Sequence, residues 1–193
     1  ILKAAQIIFD EGIGFPILLG KEKKIRAIAE ENSIDIDELP IIDPQSDEQE
    51  EKRKAYGDLF FKKRHRRGVN QYESQKAMRD RNHFGCMMVD AGEADAMISG
   101  LTKNYADTIR PAIQIIGCEE GVQKTAGMYL LLTKRGPLFM ADTTVNFNPT
   151  AEELADITLM VAREVRNFNI TPRIAMLSYS NFGSSDSPEA RLV

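Results

Sequence analysis

From the N-terminus, Ile1, Leu2, Ala4, Ala5, Ile7 and Ile8 recur at helical spacing, and Gly12 and Gly14 close that helix. Phe15 to Leu19 is a short apolar run with Pro16 near its start, where a strand tolerates proline. Gly20 turns the chain into a charged helix over 21–31, and Leu39-Pro40-Ile41-Ile42 reads as a second strand, stopped by Asp43-Pro44. The pattern then predicts a long charged helix over 47–67, with Tyr56, Leu59, Phe60 and Phe61 as its apolar contacts and Gly68 as its cap. Two short helices follow over 71–79 and 83–91, with Asn70 and Asn82 as candidate N-caps and Met87, Met88 and Val89 as core. Asp95 to Ser99 reads as a short buried strand that leads through Gly100 and a polar loop into a helix over 108–116, carrying Arg110 in its first turn.

After Gly117 and Gly121 the pattern changes. Segments 127–133 and 137–142 alternate as a hairpin around Lys134-Arg135-Gly136. Thr150 and Glu153 have the spacing of a capping box, opening a helix over 151–168 with Leu154, Ile157, Val161 and Val165 on one face. Arg173 to Leu177 is a buried-strand candidate, and Ser187-Pro188 has the form of a capped helix start. Helix, strand, glycine, helix is the rhythm of a layered α/β domain.

Composition narrows the function classes. The 193 residues are 42% hydrophobic and 28% charged with a formal net charge of −4, an ordinary globular balance that argues against nucleic acid as partner. Two cysteines, Cys86 and Cys118, with no spaced Cys/His cluster, argue against a disulfide framework or structural zinc and suit a reducing cytoplasm. No apolar run is long enough to cross a bilayer as a helix. The chain starts at Ile1 inside a helical pattern and stops at Val193 inside another, so it reads as a piece of a longer polypeptide.

The chemistry concentrates in 95–111. A helix start offers unpaired N–H groups and partial positive charge, and Arg110 adds a planar fork of donors suited to phosphate or carboxylate. Together they make a candidate anion site at the carboxyl end of a strand, although an ordinary strand-to-helix turn with a surface arginine has the same pattern. The basic run from Lys62 to Arg67 complements a helix C-terminus; a nucleic-acid patch would call for interleaved aromatics, which it lacks. His83 has no partner in sequence and reads as structural. The serine-rich stretch 178–188 is a second possible anion cradle or a solvated turn, without the Walker lysine or G-x-G-x-x-G spacing.

Several stretches taken together, in order along almost the whole chain, resemble the phosphotransacetylase (phosphate acetyltransferase) family: Gly92 to Gly100, Ala106 to Ile116, Ala141-Asp142-Thr143, and Ile174 to Ser180. Within it, Arg66-Arg67-Gly68-Val69, Ala151 to Met160, and Asn181 to Pro188 resemble the C-terminal phosphotransacetylase-like domain of bacterial NADP-dependent malic enzymes, whereas phosphotransacetylases usually carry Thr-Lys-Gly where this chain has Asn181-Phe182-Gly183. The resemblance implies a layered α-β-α sandwich of two α/β subdomains with a cleft between them: residues 1–121, and residues 122–193 as the start of an incomplete second one. It implies that the cleft takes coenzyme A and acetyl phosphate and that Arg110 and Arg64 match phosphate-gripping arginines. The ligand residues expected on this basis are Arg64, Ser99, Gly100, Thr102, Asp107, Thr108, Arg110, Ser178, Ser180, Gly183 and Ser184.

Two departures from the family bear on catalysis. Asn104-Tyr105-Ala106 stands where the enzymes tend to have small hydroxyl residues, and the family's further active-site serine, arginine and aspartate have no counterpart in these 193 residues. No catalytic or metal-binding residue is therefore expected in this chain, and no cofactor. The expected function is an acetyl-CoA-sensing regulatory and oligomerisation domain of a cytoplasmic, homo-oligomeric malic enzyme that converts malate to pyruvate and CO₂, with NADP and a divalent metal, Mg or Mn, confined to an upstream domain. The alternatives are an active phosphate acetyltransferase, converting acetyl-CoA and phosphate to acetyl phosphate and CoA, and a purely structural oligomerisation module.

Overall fold

The computed structural model of the chain describes residues 1–122, 124–178, 180 and 183–192. They form two compact units, Ile1–Gly117 and Cys118–Val193.

In the first unit, α1 (Leu2–Asp10) leads to the two-residue strand β1 (Leu18–Leu19), α2 (Glu22–Glu31) crosses over, and β2 (Ile41–Ile42) pairs with β1 in parallel, Leu18 opposite Ile41 and Leu19 opposite Ile42. Successive strand residues point to opposite faces, and the packing follows that alternation. Leu18 and Ile41 join a cluster with Ala5 of α1 and Ala29 of α2, closed by Ile36 and Leu39. Ile17, Leu19 and Ile42 instead pack on a second cluster built from helices: Tyr56 and Phe60 of α3 (Glu50–Arg64), Met78 after α4 (Gln71–Ala77), Phe84, Cys86, Met87 and Met88 of α5 (Arg81–Asp90), and Ile115 of α6 (Tyr105–Ile115). The small sheet therefore lies between two helical layers, a layered α/β arrangement as the alternation of helix and strand signals predicts, in the α-β-α order that the resemblance implies. Gly85 permits the close approach: a Cβ there would stand 2.9 Å from both Leu19 Cδ1 and Met97 Sδ.

Local signals explain most boundaries. Asn70 caps α4 in a reciprocal capping box with Glu73, and Gly68, at φ 91°, closes the basic end of the α3 region, where α3 runs on into a 3₁₀ turn over His65–Arg67. Several expectations for this unit fail, the core place of Val89 among them, since that residue is only half-buried. Asp80 rather than Asn82 caps α5, accepting the N–H groups of Asn82 and His83; Asn82 lies inside the helix and is only 4% exposed. Leu59 is 40% exposed, because Tyr56 and Phe60 already fill the buried stripe of α3. Residues 95–99 form no strand: among the described residues no segment pairs with them, Ile98 is 92% exposed, and only Met97 packs inward. Helix α6 begins three residues earlier than its apolar pattern indicates, because Asn104 caps it through the Asp107 N–H, and Arg110 consequently falls in the second turn.

The second unit contains the antiparallel hairpin β3 (Met128–Thr133) and β4 (Gly136–Ala141), with Thr133 opposite Gly136 across Lys134-Arg135, then α7 (Ala151–Asn167) and α8 (Pro188–Arg191). Helix α7 opens on the predicted Thr150/Glu153 box and buries Ile157, Ala162 and Val165; Phe168, just beyond it, meets Phe139 of β4 at 5.4 Å between rings. Residues 173–177 are exposed and form no strand, since no neighbouring strand among the described residues offers them a ladder. Ser187 caps α8, with Pro188 at its first position.

Truncating Phe84, fully buried at the centre of the helical cluster, leaves a cavity that its neighbours fill incompletely. Phe84→Ala is expected to lower unfolding free energy by about 3–5 kcal/mol, seen as a reduced urea midpoint at unchanged m-value, whereas Leu59→Ala is expected to stay within about 0.5 kcal/mol of wild type.

Candidate functional site

The first unit carries a cleft of about 440 Å³ where α5, the loop after residue 99 and α6 converge. Helix α5 contributes Asp80 and His83, the loop contributes Thr102 and Lys103, and the α6 region contributes Asn104, Asp107, Arg110 and Pro111.

Asp80 organises one wall. Its Oδ1 accepts the backbone N–H of Asn82 at 3.1 Å, that of His83 at 3.2 Å, and the His83 ring Nδ1–H at 3.0 Å, while Oδ2 takes the Lys103 ammonium. Burial pushes this carboxyl up, but the hydrogen bonds from His83 and Lys103 outweigh it and hold Asp80 well below the usual carboxylate range. The edge of the Phe60 ring meets the His83 ring at 5.8 Å between centroids. Lys103 is thus committed to Asp80 and ties the loop to α5.

The opposite wall is α6. Asn104 Oδ1 accepts the Asp107 N–H at 2.9 Å and its Nδ2 donates to Asp107 Oδ2 at 2.7 Å, so the helix start is occupied by the chain's own groups rather than open to an anion. One turn on, the Arg110 side chain is 62% exposed, and its Nη1 is 3.9 Å from Asp107 Oδ1, a loose surface pairing. The cleft therefore presents the exposed Arg110 guanidinium, with its planar fork of donors, rather than an open helix start.

The structure brings Thr102, Asp107 and Arg110 together in the cleft. Gly100, at φ 123°, lies against Thr108, whose hydroxyl donates to the Asn104 carbonyl at 2.9 Å. Ser99 Oγ donates to Asn82 Oδ1 at 2.8 Å, and Asn82 Nδ2 donates onward to the Asp107 carbonyl at 3.4 Å. Arg64 does not line the cleft. It lies one turn past Phe60 at the end of α3, half-buried, with burial and the neighbouring Arg67 lowering its pKa, and it has no ion pair among the described residues. Ser178, Ser180, Gly183 and Ser184 belong to the second unit. Ser178 Oγ accepts the Ser180 N–H, and Ser180 Oγ accepts the Ser185 N–H, both at 3.1 Å, so these hydroxyls brace their own loop; Gly183 and Ser184 are exposed. Tyr179, Asn181 and Phe182 of that stretch lie outside the described residues.

Sequence reasoning missed Asp80, His83, Lys103 and Asn104 as cleft residues. The signals were present: Asp80-x-x-His83 and Asn104-x-x-Asp107 both have N-cap spacing, which places the third residue of each helix beside its cap. In the second unit Asp142 likewise closes a loop, its Oδ1 accepting the N–H groups of Gly127, Thr144 and Val145 and its Oδ2 taking Asn146 N at 2.7 Å and Nδ2 at 2.6 Å. Burial raises that carboxyl, but these bonds depress it further than burial lifts it. No described group of His, Cys, Asp and Glu has a metal-holding arrangement, and among the described residues no helix is long and apolar enough to cross a membrane.

Comparison with known proteins agrees across the whole chain. Residues 1–193 match the family model described as phosphate acetyl/butaryl transferase. The NAD-dependent malic enzyme of Rhizobium meliloti is 38% identical over 195 residues, and the NADP-dependent malic enzyme of Escherichia coli 39% identical over 191; each match covers 98% of this chain and 25% of the relative. The phosphate acetyltransferase of Bacillus subtilis is 36% identical over 195 residues, covering all of this chain and 58% of that protein. The solved EutD phosphotransacetylase from Staphylococcus aureus superimposes with a TM-score of 0.82 at 30% identity, over 99% of this chain and 57% of that one. The chain thus spans a quarter to somewhat over half the length of these relatives.

The Asp80 cluster generates a signed pH expectation. A carboxyl held below its ordinary value of 3.8 adds stability that is complete above that pH and is lost as pH falls through the depressed value. Asp80→Asn keeps a capping oxygen but removes the charge shared by His83 and Lys103. It is expected to cost about 1 kcal/mol in urea unfolding at neutral pH, and the gap to wild type is expected to close as the pH is lowered below 3.8.

Proposed function

The chain belongs to the phosphate acetyl/butaryl transferase family, and from that premise we propose that it is an acetyl-CoA-recognising domain that serves as the regulatory and oligomerisation part of an NADP-dependent malic enzyme. The observation that carries the ligand half of this reading is Arg110: it lines the cleft of the first unit, and its only ion pair among the described residues is the 3.9 Å contact with Asp107. A guanidinium presents paired donors that match a phosphate oxygen edge, and coenzyme A and acetyl phosphate both carry such edges. Arg64, which has no ion pair among the described residues, lies in the same unit but outside this cleft, so the reading rests on Arg110. The malic enzyme half rests on matches that cover nearly all of this chain but a quarter of each malic enzyme, as expected for one domain of a larger protein.

In this reading the domain contributes binding energy and assembly, not chemistry. Hydride transfer to NADP and decarboxylation of malate, with Mg or Mn, belong to a separate catalytic domain of the parent, which would be a cytoplasmic homo-oligomer. Acetyl-CoA acts at a distance by binding one conformation of the assembly more tightly than another.

The test is calorimetric titration of the complete protein with acetyl-CoA, paired with malate oxidation. Binding is expected in wild type, and Arg110→Ala is expected to weaken it at least about tenfold with assembly retained. Absence both of binding and of any acetyl-CoA effect on malate oxidation overturns the reading. Binding that is indifferent to Arg110→Ala moves the ligand away from this cleft.

One observation favours a second reading: the Bacillus subtilis phosphate acetyltransferase matches the whole of this chain. A functioning phosphate acetyltransferase would form acetyl phosphate from acetyl-CoA and phosphate, and turnover by the complete wild-type protein, lost in Arg110→Ala, would support it over a regulatory role.

A further inference from the structure

Behind this cleft lies a buried asparagine that joins α5 to α6 and to the loop of Ser99. In helix α6 the carbonyl of Asp107 would ordinarily accept the N–H of the residue four positions on. That residue is Pro111, which has no N–H to give, and it lies fully buried inside the helix. The carbonyl is not left bare, because the Asn82 carboxamide reaches it across the helix interface, Nδ2 to O at 3.4 Å. The other end of the same carboxamide, Oδ1, accepts the Ser99 hydroxyl at 2.8 Å. Asn82 is 4% exposed and is held by α5, whose neighbouring residues are packed core.

From this arrangement we infer that Asn82 is a positioning residue for the anion site: through the helix bond that Pro111 cannot make and the hydroxyl of Ser99, it sets the turn carrying Arg110 against the loop of Ser99 and Gly100. The inference rests on the reading of Arg110 as a ligand group. The carboxamide does both tasks at once, because it is a donor at one end and an acceptor at the other. Serine and threonine lack that span, and aspartate lacks the donor. Pro111 in turn makes the arrangement specific. It frees one carbonyl in the same turn of the helix as Arg110, and the Asn82 carboxamide supplies a donor to it from another helix. The orientation of Arg110 is thereby referred to α5 rather than to its own helix alone.

The closing experiment uses the complete protein and two readouts, one of which needs no ligand. Asn82→Ala is expected to raise the amide exchange rate of residues 108–115 about tenfold and to weaken acetyl-CoA binding by a comparable factor, both measured well below the melting temperature. Asn82→Asp, which keeps the acceptor for Ser99 but removes the donor, serves as the milder variant should the alanine fail to fold. Pro111→Ala gives position 111 an N–H of its own, so in the Asn82→Ala or Asn82→Asp background it is expected to recover most of the exchange protection and the affinity. A purely structural asparagine would lower the melting temperature without changing the dissociation constant of the folded protein, and that result overturns the inference. Unchanged exchange in 108–115, or failure of Pro111→Ala to rescue it, also overturns it, whether or not acetyl-CoA binds. If wild type binds no acetyl-CoA while exchange responds and is rescued, the ligand reading fails and the role of Asn82 in setting the turn stands.

Discussion

Helix α5 has almost no solvent face, and the first unit is arranged around that constraint. Six of its ten residues are buried, so sheet, loop and three helices can all pack against it. Its middle is enclosed while its ends reach the surface, and each end is closed by groups of the chain. At its N-terminus Asp80 does so, and because the same carboxylate also takes His83 and Lys103, the cap becomes the anchor of the cleft wall. At its C-terminus the N–H groups of Ala91, Gly92 and Glu93 return to the carbonyls of Met87, Val89 and Met88, while the Asp90 side chain receives the Lys63 ammonium at 2.6 Å and Lys63 reaches the last carbonyl of α6 at 3.3 Å. The polar groups that line the cleft are thus in part the groups that close the N-terminus of α5.

Much of this architecture was legible in the chain. The capping boxes at Asn70 and Thr150, the hairpin across Lys134-Arg135 and the helix starting at Ala151 follow from local chemistry, and local chemistry is what a sequence displays. The errors over strands lie where a partner distant in sequence decides, whereas those over the starts of α5 and α6 turn on which neighbouring residue caps the helix. Residues 95–99 and 173–177 have strand composition, but a strand requires a neighbour to exchange hydrogen bonds with, and none of the described residues supplies one. The start of α6 was misplaced because Tyr105 and Ala106 break the apolar stripe, whereas the Asn104 cap sets the boundary without regard to it.

The site divides in the same way. Arg110 stands out from its chemistry beside a helix start, Thr102 and Asp107 are expected from the resemblance, and the fold gathers the three in one cleft. Asp80 and His83 escaped notice because each, taken alone, has an ordinary structural explanation; their role emerges only when Lys103 arrives from more than twenty positions away. Agreement with relatives over the full length, malic enzymes and phosphate acetyltransferases alike, establishes the family and leaves the choice of branch to chemistry at this cleft.

Asp142 shows what such a resemblance measures. Its carboxylate receives four backbone N–H groups, those of Thr144, Val145 and Asn146 from its own loop and that of Gly127 from before β3, and the Asn146 side-chain amide besides. An oxygen pair so fully engaged is a poor proton acceptor, and a Cβ at Gly127 would stand 2.6 Å from Thr144 Oγ1, so a larger residue there would displace the Thr144 side chain. The Ala141-Asp142-Thr143 signature therefore encodes a loop shape. Two proteins can share those letters and differ in what they catalyse, or in whether they catalyse anything, because the information in them is geometric.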